Sequence, residues 1–320
     1  MYVPIGKGNQ RFYKKNPTST DNIIIGEVRP FEPLKSFYSH AREVVAEGFR
    51  SDLVHADDKP SAIVGVKACD LKGFKIQDHV FQSHNFADPF YIKNREENLI
   101  ISADCTSVLD TCFCLSVDVK PFPQENFDLN LSEISGGFLV EIGSPKGREL
   151  VEQNMTLFQA ANDAFVKSVK KNRMHIIEEI ENNIKNNHVP HQDDFKDMIE
   201  KKYESELWKR EAETCVECAS CNAICPTCHC FFLYDQKNED EMKRLRMWDS
   251  CMVKDFARVA GGANPHKRLW MRLRNRFEKK FDYFPKVAGV YACTGCGRCI
   301  SGCPAKIDIR KVLKELVTDE

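Results

Sequence analysis

Apolar and polar positions divide the chain into three stretches. In the first, to about Lys146, short apolar runs end in turn signals: Asn22–Gly26, Ser61–Val66, Asn98–Ser102 and Gly137–Gly143. Their length and β-branched content predict strands. Between the first two, Leu34, Phe37, Ala41, Val44 and Val45 fall on one helical face, which predicts a helix over Pro33–Phe49. Pro121 and Pro123 mark a loop. Residues 1–147 therefore read as a mixed α/β domain.

From Arg148 the pattern changes. Leu150, Val151, Met155, Leu157, Phe158, Phe165, Val166, Val169, Ile176, Ile177 and Ile180 recur at helical intervals among many Lys and Glu. The polar segment Asn182–His191, with Pro190, predicts a break, and a second helix is expected from Asp193 through Trp208. Residues 148–207 form a helical connector. In the third stretch, 208–320, Lys267–Lys280 is basic and amphipathic, with Leu269, Trp270, Leu273 and Phe277 forming an apolar stripe. A calmodulin-target or membrane-surface helix has that pattern. A helix linking two halves of a small domain, its cations facing anionic clusters, fits the surroundings better.

Charge and composition narrow the function. The formal net charge is −1, which gives no global field to attract nucleic acid. No apolar run is long enough to span a bilayer, and the first residues lack a secretory apolar core. A cytoplasmic location is expected. There, the 15 cysteines read as metal ligands or redox thiols rather than disulfides.

Two runs carry the strongest signal. Cys215, Cys218, Cys221 and Cys225-Pro226 follow C-x2-C-x2-C-x3-C-P, and so do Cys293, Cys296, Cys299 and Cys303-Pro304. This is the ferredoxin pattern for two [4Fe–4S] clusters. Three close cysteines wrap one cubane, and the fourth reaches the neighbouring cluster. One cluster is thus expected on Cys215, Cys218, Cys221 and Cys303, the other on Cys293, Cys296, Cys299 and Cys225. Structural zinc also takes paired C-x2-C elements, but it does not call for the third cysteine or the proline. The separation of the runs and the helical tail Ile307–Leu316 suggest an α-helical ferredoxin arrangement. Cys228 and Cys230 are surplus. They read as small buried hydrophobes, the alternative being an extra metal shared with His229 and Cys251. The fold class is α+β.

Further motifs are more distinctive: Gly65–Leu71, Asp88–Tyr91, Cys112-Phe-Cys114, Cys225-Pro-Thr-Cys228, Trp248–Cys251 and the tail Cys303–Arg310. Over nearly the whole chain the sequence resembles the iron–sulfur β subunit of soluble sulfhydrogenases, which is similar to the corresponding subunit of anaerobic sulfite reductase. The resemblance implies an electron-transfer subunit of an oxidoreductase complex. Its partners would be a flavoprotein handling NAD(P)H and a hydrogenase-like, sulfite-reductase-like or heterodisulfide-reductase-like catalytic subunit. Flavin then belongs on a partner.

Cys69, Cys105, Cys112 and Cys114 make four thiols in the α/β domain. Cys69 and Cys105 follow predicted strands and should sit at a sheet rim. Their irregular spacing also suits buried free cysteines. The resemblance points instead to a third [4Fe–4S] cluster. Asp70, Asp88 and Tyr91 lie nearby in sequence, as tuning groups or as turn and packing residues.

Nothing marks a catalytic site. Gly6-Lys-Gly8 continues to Arg11 where a dinucleotide loop wants glycine. Gly261-Gly262 reads as a helix stop. Besides the electron-transfer subunit, two other classes stay open: a flavin-dependent reductase with flavin beside the N-terminal cysteines, and a zinc-stabilised scaffold.

Overall fold

The computed structural model describes residues 1–48, 59–83, 86–238 and 241–318. A six-stranded sheet runs in the order β2-β1-β4-β5-β6-β7. Its strands are β1 (Tyr2–Lys7), β2 (Gln10–Lys15), β4 (Ala62–Val66), β5 (Leu99–Ala103), β6 (Leu129–Ile134) and β7 (Gly137–Ile142). The central pairs are parallel, and an antiparallel hairpin closes each edge. Ile63 and Val66 meet Leu34, Tyr38, Phe74, Phe81, Tyr91 and Ile100 in one apolar layer. Helices α1 (Ala68–Leu71), α2 (Phe74–Phe81) and α3 (Pro89–Glu97) join β4 to β5.

The Ser61, Asn98 and Gly137 runs form strands as expected. Asn22–Gly26 does not: it touches the sheet through a single Ile5–Ile23 bridge. The helix expected over Pro33–Phe49 is also absent, Phe49 lying outside the described residues. Leu34–Phe37 is one short 3₁₀ turn, and Arg42–Glu47 is strand β3. Val44 and Val45 are β-branched, and their partner is β9 (Glu241–Trp248), far along the chain. β3, β9 and β8 (Phe231–Asn238) make a second sheet.

Helix α4 (Pro145–Gln153) opens on a Ser144 cap, and α5 (Asp163–Asn186) on Asn162, whose side chain accepts from Phe165 N. The single helix expected from Asp193 to Trp208 is broken into a 3₁₀ turn at Gln192–Phe195, α6 (Met198–Lys201) and α7 (Leu207–Ala212). Asp197, with φ +58°, interrupts it. Gly261 and Gly262 do turn the chain, with φ +89° and +86°. Irregular chain precedes them, not a helix.

The cysteine runs each contribute a short turn, α8 (Ser220–Ala223) and α11 (Arg298–Ser301). The basic segment forms α9 (Leu269–Glu278), which continues as a π turn over Lys279–Tyr283 into α10 (Phe284–Ala288). Helix α12 (Ile309–Thr318) follows the second run. A single apolar core joins Phe113, Cys114 and Val117 to Ile176 and Ile180 of α5, Trp208, Phe277 and Leu313. The basic helix is therefore an interior element: Arg272, Arg274 and Arg276 are all buried. No helix among the described residues is long and apolar enough to cross a membrane.

Candidate metal centres

Cysteines line three separate cavities. The first, here the proximal cavity, is lined by Cys215, Cys218 and Cys221 of the first run and Cys303 of the second. Cys299, Arg276 and the apolar side chains of Met252, Leu273 and Phe277 complete its wall. The chain bends sharply here: Glu217 and Ala219 have φ of +55° and +62°. That turn lies within the first run, whose Cys215, Cys218 and Cys221 line the cavity.

The second, the N-terminal cavity, is lined by Cys69, Cys105, Cys112 and Cys114, with Cys296 on its far side. Topology explains the gathering. β4 and β5 are parallel neighbours. Cys69 and Cys105 each follow one of them, so both arrive at the same rim of the sheet. The loop after β5 then supplies Cys112 and Cys114. The distal run presses directly on this loop. Phe113 N donates to Gly295 O at 2.9 Å. A Cβ on Gly295 would stand 2.3 Å from Cys114 Cα, and the residue has φ +61°. Only glycine permits that approach.

Cys225, Cys293 and Cys299 form a group of their own between these cavities. Burial pushes Cys293 up to about 12; Lys280 pulls it down, and Cys299 and Cys225 add to the rise. Cys296 and Cys225 act on Cys299 in the same way. Cys225 itself is held well below the usual thiol range, first by a hydrogen bond from Cys228 and then, against burial, by Lys280. Cys299 thus borders both the proximal cavity and this group, while Cys296 joins the group to the N-terminal cavity.

Burial likewise raises Cys221 to about 12 and Cys105 to about 11. As neutral thiols they suit a buried site; were they to bind iron, they would become thiolates and release protons. The surrounding charge fits an anionic cluster. Lys35, Arg276 and Lys280 are buried, and none has a carboxylate within ion-pair distance among the described residues. Arg276 Nε and Nη2 and Arg298 Nη1 have no hydrogen-bond partner. Buried cations demand a counter-charge, and iron–sulfur clusters supply one.

Asp70 is fixed by structure. Its Oδ2 pairs with Arg298 Nη2 at 2.7 Å, with both groups buried, and its Oδ1 accepts from Leu34 N at 3.1 Å. Asp88 caps α3 by accepting from Phe90 N and Tyr91 N. Tyr91 donates to Asp78 at 2.6 Å. These two are packing residues, away from the cavities. Gly6 and Lys7 lie in β1 and Gly8 in the hairpin turn after it.

Comparisons place this geometry. The model of the 4Fe–4S dicluster domain matches residues 214–307. Over 318 residues the chain is 31% identical to sulfhydrogenase 2 subunit beta of Pyrococcus furiosus, covering 99% of this chain and 92% of that protein. The chain belongs to the sulfhydrogenase β-subunit family. Membership and dicluster domain together identify an iron–sulfur, electron-transferring subunit of α+β fold. No solved structure matches the chain.

The reading of the sequence missed how much of the site comes from outside the cysteine runs. Lys35 Nζ donates to Asn222 O at 3.1 Å and Cys228 O at 2.9 Å, and Gln77 Nε2 to Pro226 O at 2.9 Å. Both lie in the N-terminal stretch and hold the Cys225–Cys228 loop. Their positions carry no local signal, because a Lys or Gln becomes a clamp only through the tertiary fold.

Proposed function

We propose that this chain relays electrons through three [4Fe–4S] clusters between a flavoprotein and a catalytic redox subunit. The proximal cluster uses Cys215, Cys218, Cys221 and Cys303, the distal one Cys293, Cys296, Cys299 and Cys225, and the N-terminal one Cys69, Cys105, Cys112 and Cys114. One observation carries the reading: the cysteine groups are contiguous, Cys299 bordering the proximal and distal groups and Cys296 the distal and N-terminal ones. That arrangement supports a conducting path from one face to another. The named relative, a sulfhydrogenase subunit, supports assembly with a hydrogen- or sulfur-converting partner. The buried cations would stabilise the extra negative charge of each reduced cluster.

The test is anaerobic spectroscopy of the full chain. Cys112→Ser/Cys114→Ser should remove one reduced-cluster signal and about four irons. Cys225→Ala should damage the distal cluster and Cys303→Ala the proximal one. Unchanged iron in the first variant eliminates the N-terminal cluster. Subunits recovered by anaerobic pull-down identify the partners.

A second reading places a flavin on this chain. An open cleft lined by Arg11, Phe12, Phe31 and Arg29 shares Arg29 with the N-terminal cysteine cavity. Its aromatic and cationic lining suits a stacked, phosphorylated ring. Flavin released by acid from the purified chain would establish this reading, and a flavin-free chain would discard it.

A further inference from the structure

The third cysteine-lined cavity is used by none of these clusters. Cys228, His229, Cys230 and Cys251 line it, with Thr227, Asn222 and Phe284. Arg276, Lys279 and Lys280 complete the wall. Cys228 and Cys230 are half-buried at its edge rather than packed into the apolar core, while Cys251 is buried.

We propose that this cavity holds a fourth iron–sulfur cluster, ligated by Cys228, Cys230, Cys251 and His229. Three thiolates are soft ligands of the right kind. The histidine is set up as the fourth. Its Nδ1 lies 3.0 Å from Thr227 O, which can only accept, so Nδ1 carries the proton and Nε2 the lone pair. Phe284 packs edge-on against the ring, 5.3 Å between centroids, and fixes its plane.

The polar groups around the thiols are those of an anionic site. Asn222 Nδ2 donates to Cys251 Sγ at 3.1 Å. Lys279 Nζ stands 3.7 Å from Cys230 Sγ, and Lys280 Nζ 3.3 Å from Cys225 Sγ. Both lysines lie on the π turn that follows α9; an extra residue in that turn re-aims side chains, a common device at functional sites. Arg276 is 5% exposed, keeps Nε and Nη2 unpartnered, and lines both this cavity and the proximal one. Silent packing cysteines would leave Lys279 facing a neutral thiol and Arg276 with an anion on one side only. A cluster on each side gives the guanidinium two anions to bridge. Thr227, on the cavity wall, has its Oγ1 3.2 Å from Cys225 Sγ, so the fourth cluster adjoins the distal one and forms a side branch of the path.

The test uses the full chain, reconstituted anaerobically, and measures iron, zinc and acid-labile sulfide. Cys230→Ser/Cys251→Ser should lose about four irons and about four sulfides. Combined with Cys112→Ser/Cys114→Ser it should lose about twice that, so the fourth cluster and the N-terminal one fail separately. The wild-type chain labelled with ¹⁵N-histidine supplies a check independent of variant folding. Pulsed paramagnetic resonance should show one reduced cluster coupled to a histidine nitrogen, since the other three are ligated by cysteine alone. His229→Cys should abolish that coupling and keep the iron. Unchanged iron in Cys230→Ser/Cys251→Ser, zinc in place of iron, a Cys230–Cys251 disulfide in the native chain, or no histidine coupling would each overturn the proposal.

Discussion

The proximal and N-terminal cavities offer the same number of thiols in opposite settings. The proximal one opens at the surface: Cys218 is exposed, and Val216 beside it is 64% exposed. Its wall is apolar apart from Arg276. The N-terminal one is roofed by the distal run and ringed by cations. Lys67 and Arg29 line it, both buried, and Arg298 lies close enough to lower the Cys69 thiol against burial and Asp70. Cluster potentials follow local charge, hydrogen bonding and exposure. The contrast therefore assigns different work to each. Under the proposed function, the proximal site is the one that would exchange electrons with a docked protein. The N-terminal site is held by charge from its own domain, Lys67 and Arg29, together with Arg298 of the distal run.

Breaking that shared charge should have the largest effect. Arg298 lies between Cys296 and Cys299 in sequence, yet it donates to Asp70 and to Pro30 O. Arg298→Met would leave Asp70 buried without its counter-ion. Losing one partner of a buried pair costs about 3–5 kcal/mol. Denaturant unfolding should show that loss, and the N-terminal and distal clusters should be depleted while the proximal one survives. A stability change under about 1 kcal/mol would mean that the Arg298–Asp70 pair contributes little to the fold.

The next effect is steric. Gly295→Ala forces a left-handed conformation on a residue with a Cβ and drives that atom into the Cys114 backbone. Strain and overpacking of this kind cost about 1–3 kcal/mol each. Iron should fall at the two sites that share this contact. Equal loss from the proximal cluster would show that the contrast drawn here is wrong, because the sites would then be coupled globally.

How much of this was legible in the sequence follows from the same contrast. Cysteines in one short run are visible through spacing, and three members of the proposed proximal set and three of the distal set read that way. Cys69 and Cys105 were placed at a rim because the Ser61 and Asn98 runs predict strands; that the strands are parallel neighbours was not visible. β3 was misread as a helix because its pairing with β9 is non-local, while Leu34, Phe37, Ala41, Val44 and Val45 happened to match a 3.6-residue period. The β1–β2 hairpin was missed because Pro4, Gly6 and Gly8 resemble loop chain. β1 pairs with β4 only at Tyr2–Ile63, which leaves Pro4 outside the paired stretch on that side. Cys228 and Cys230 read as packing residues, with an extra metal shared with His229 and Cys251 as the alternative, and the fold sets all four along one cavity.

A smaller effect tests the charge argument at the proximal site. Arg276→Gln removes a buried cation that faces Cys221 and Cys299. The reduced cluster carries one more negative charge than the oxidised one, so losing the cation should lower the proximal potential by tens of millivolts. The N-terminal potential should barely move, since Arg276 does not line that cavity. A spectroelectrochemical titration of the two signals separates these outcomes. Equal shifts at both sites would point to a global rearrangement rather than a local charge.

The smallest effect on the chain itself is expected from Val216, and it tests the surface half of the comparison. Val216 lies between two proximal ligands, touches the cavity and faces solvent. Val216→Lys adds a cation at the rim without entering the core. Surface substitutions of this kind change stability by no more than about 0.5 kcal/mol, so unfolding, iron content and spectra should match the native chain. What should change is electron exchange with the partner that docks there. A charge at an interface rim acts mainly on association rate and salt dependence. Stopped-flow reduction of the chain by its co-purified partner should therefore become slower or faster with a steeper dependence on ionic strength. If the rate and its salt dependence stay as in the native chain, the partner approaches elsewhere. The exposed position of Cys218 would then reflect a cluster-loading route rather than an electron exit.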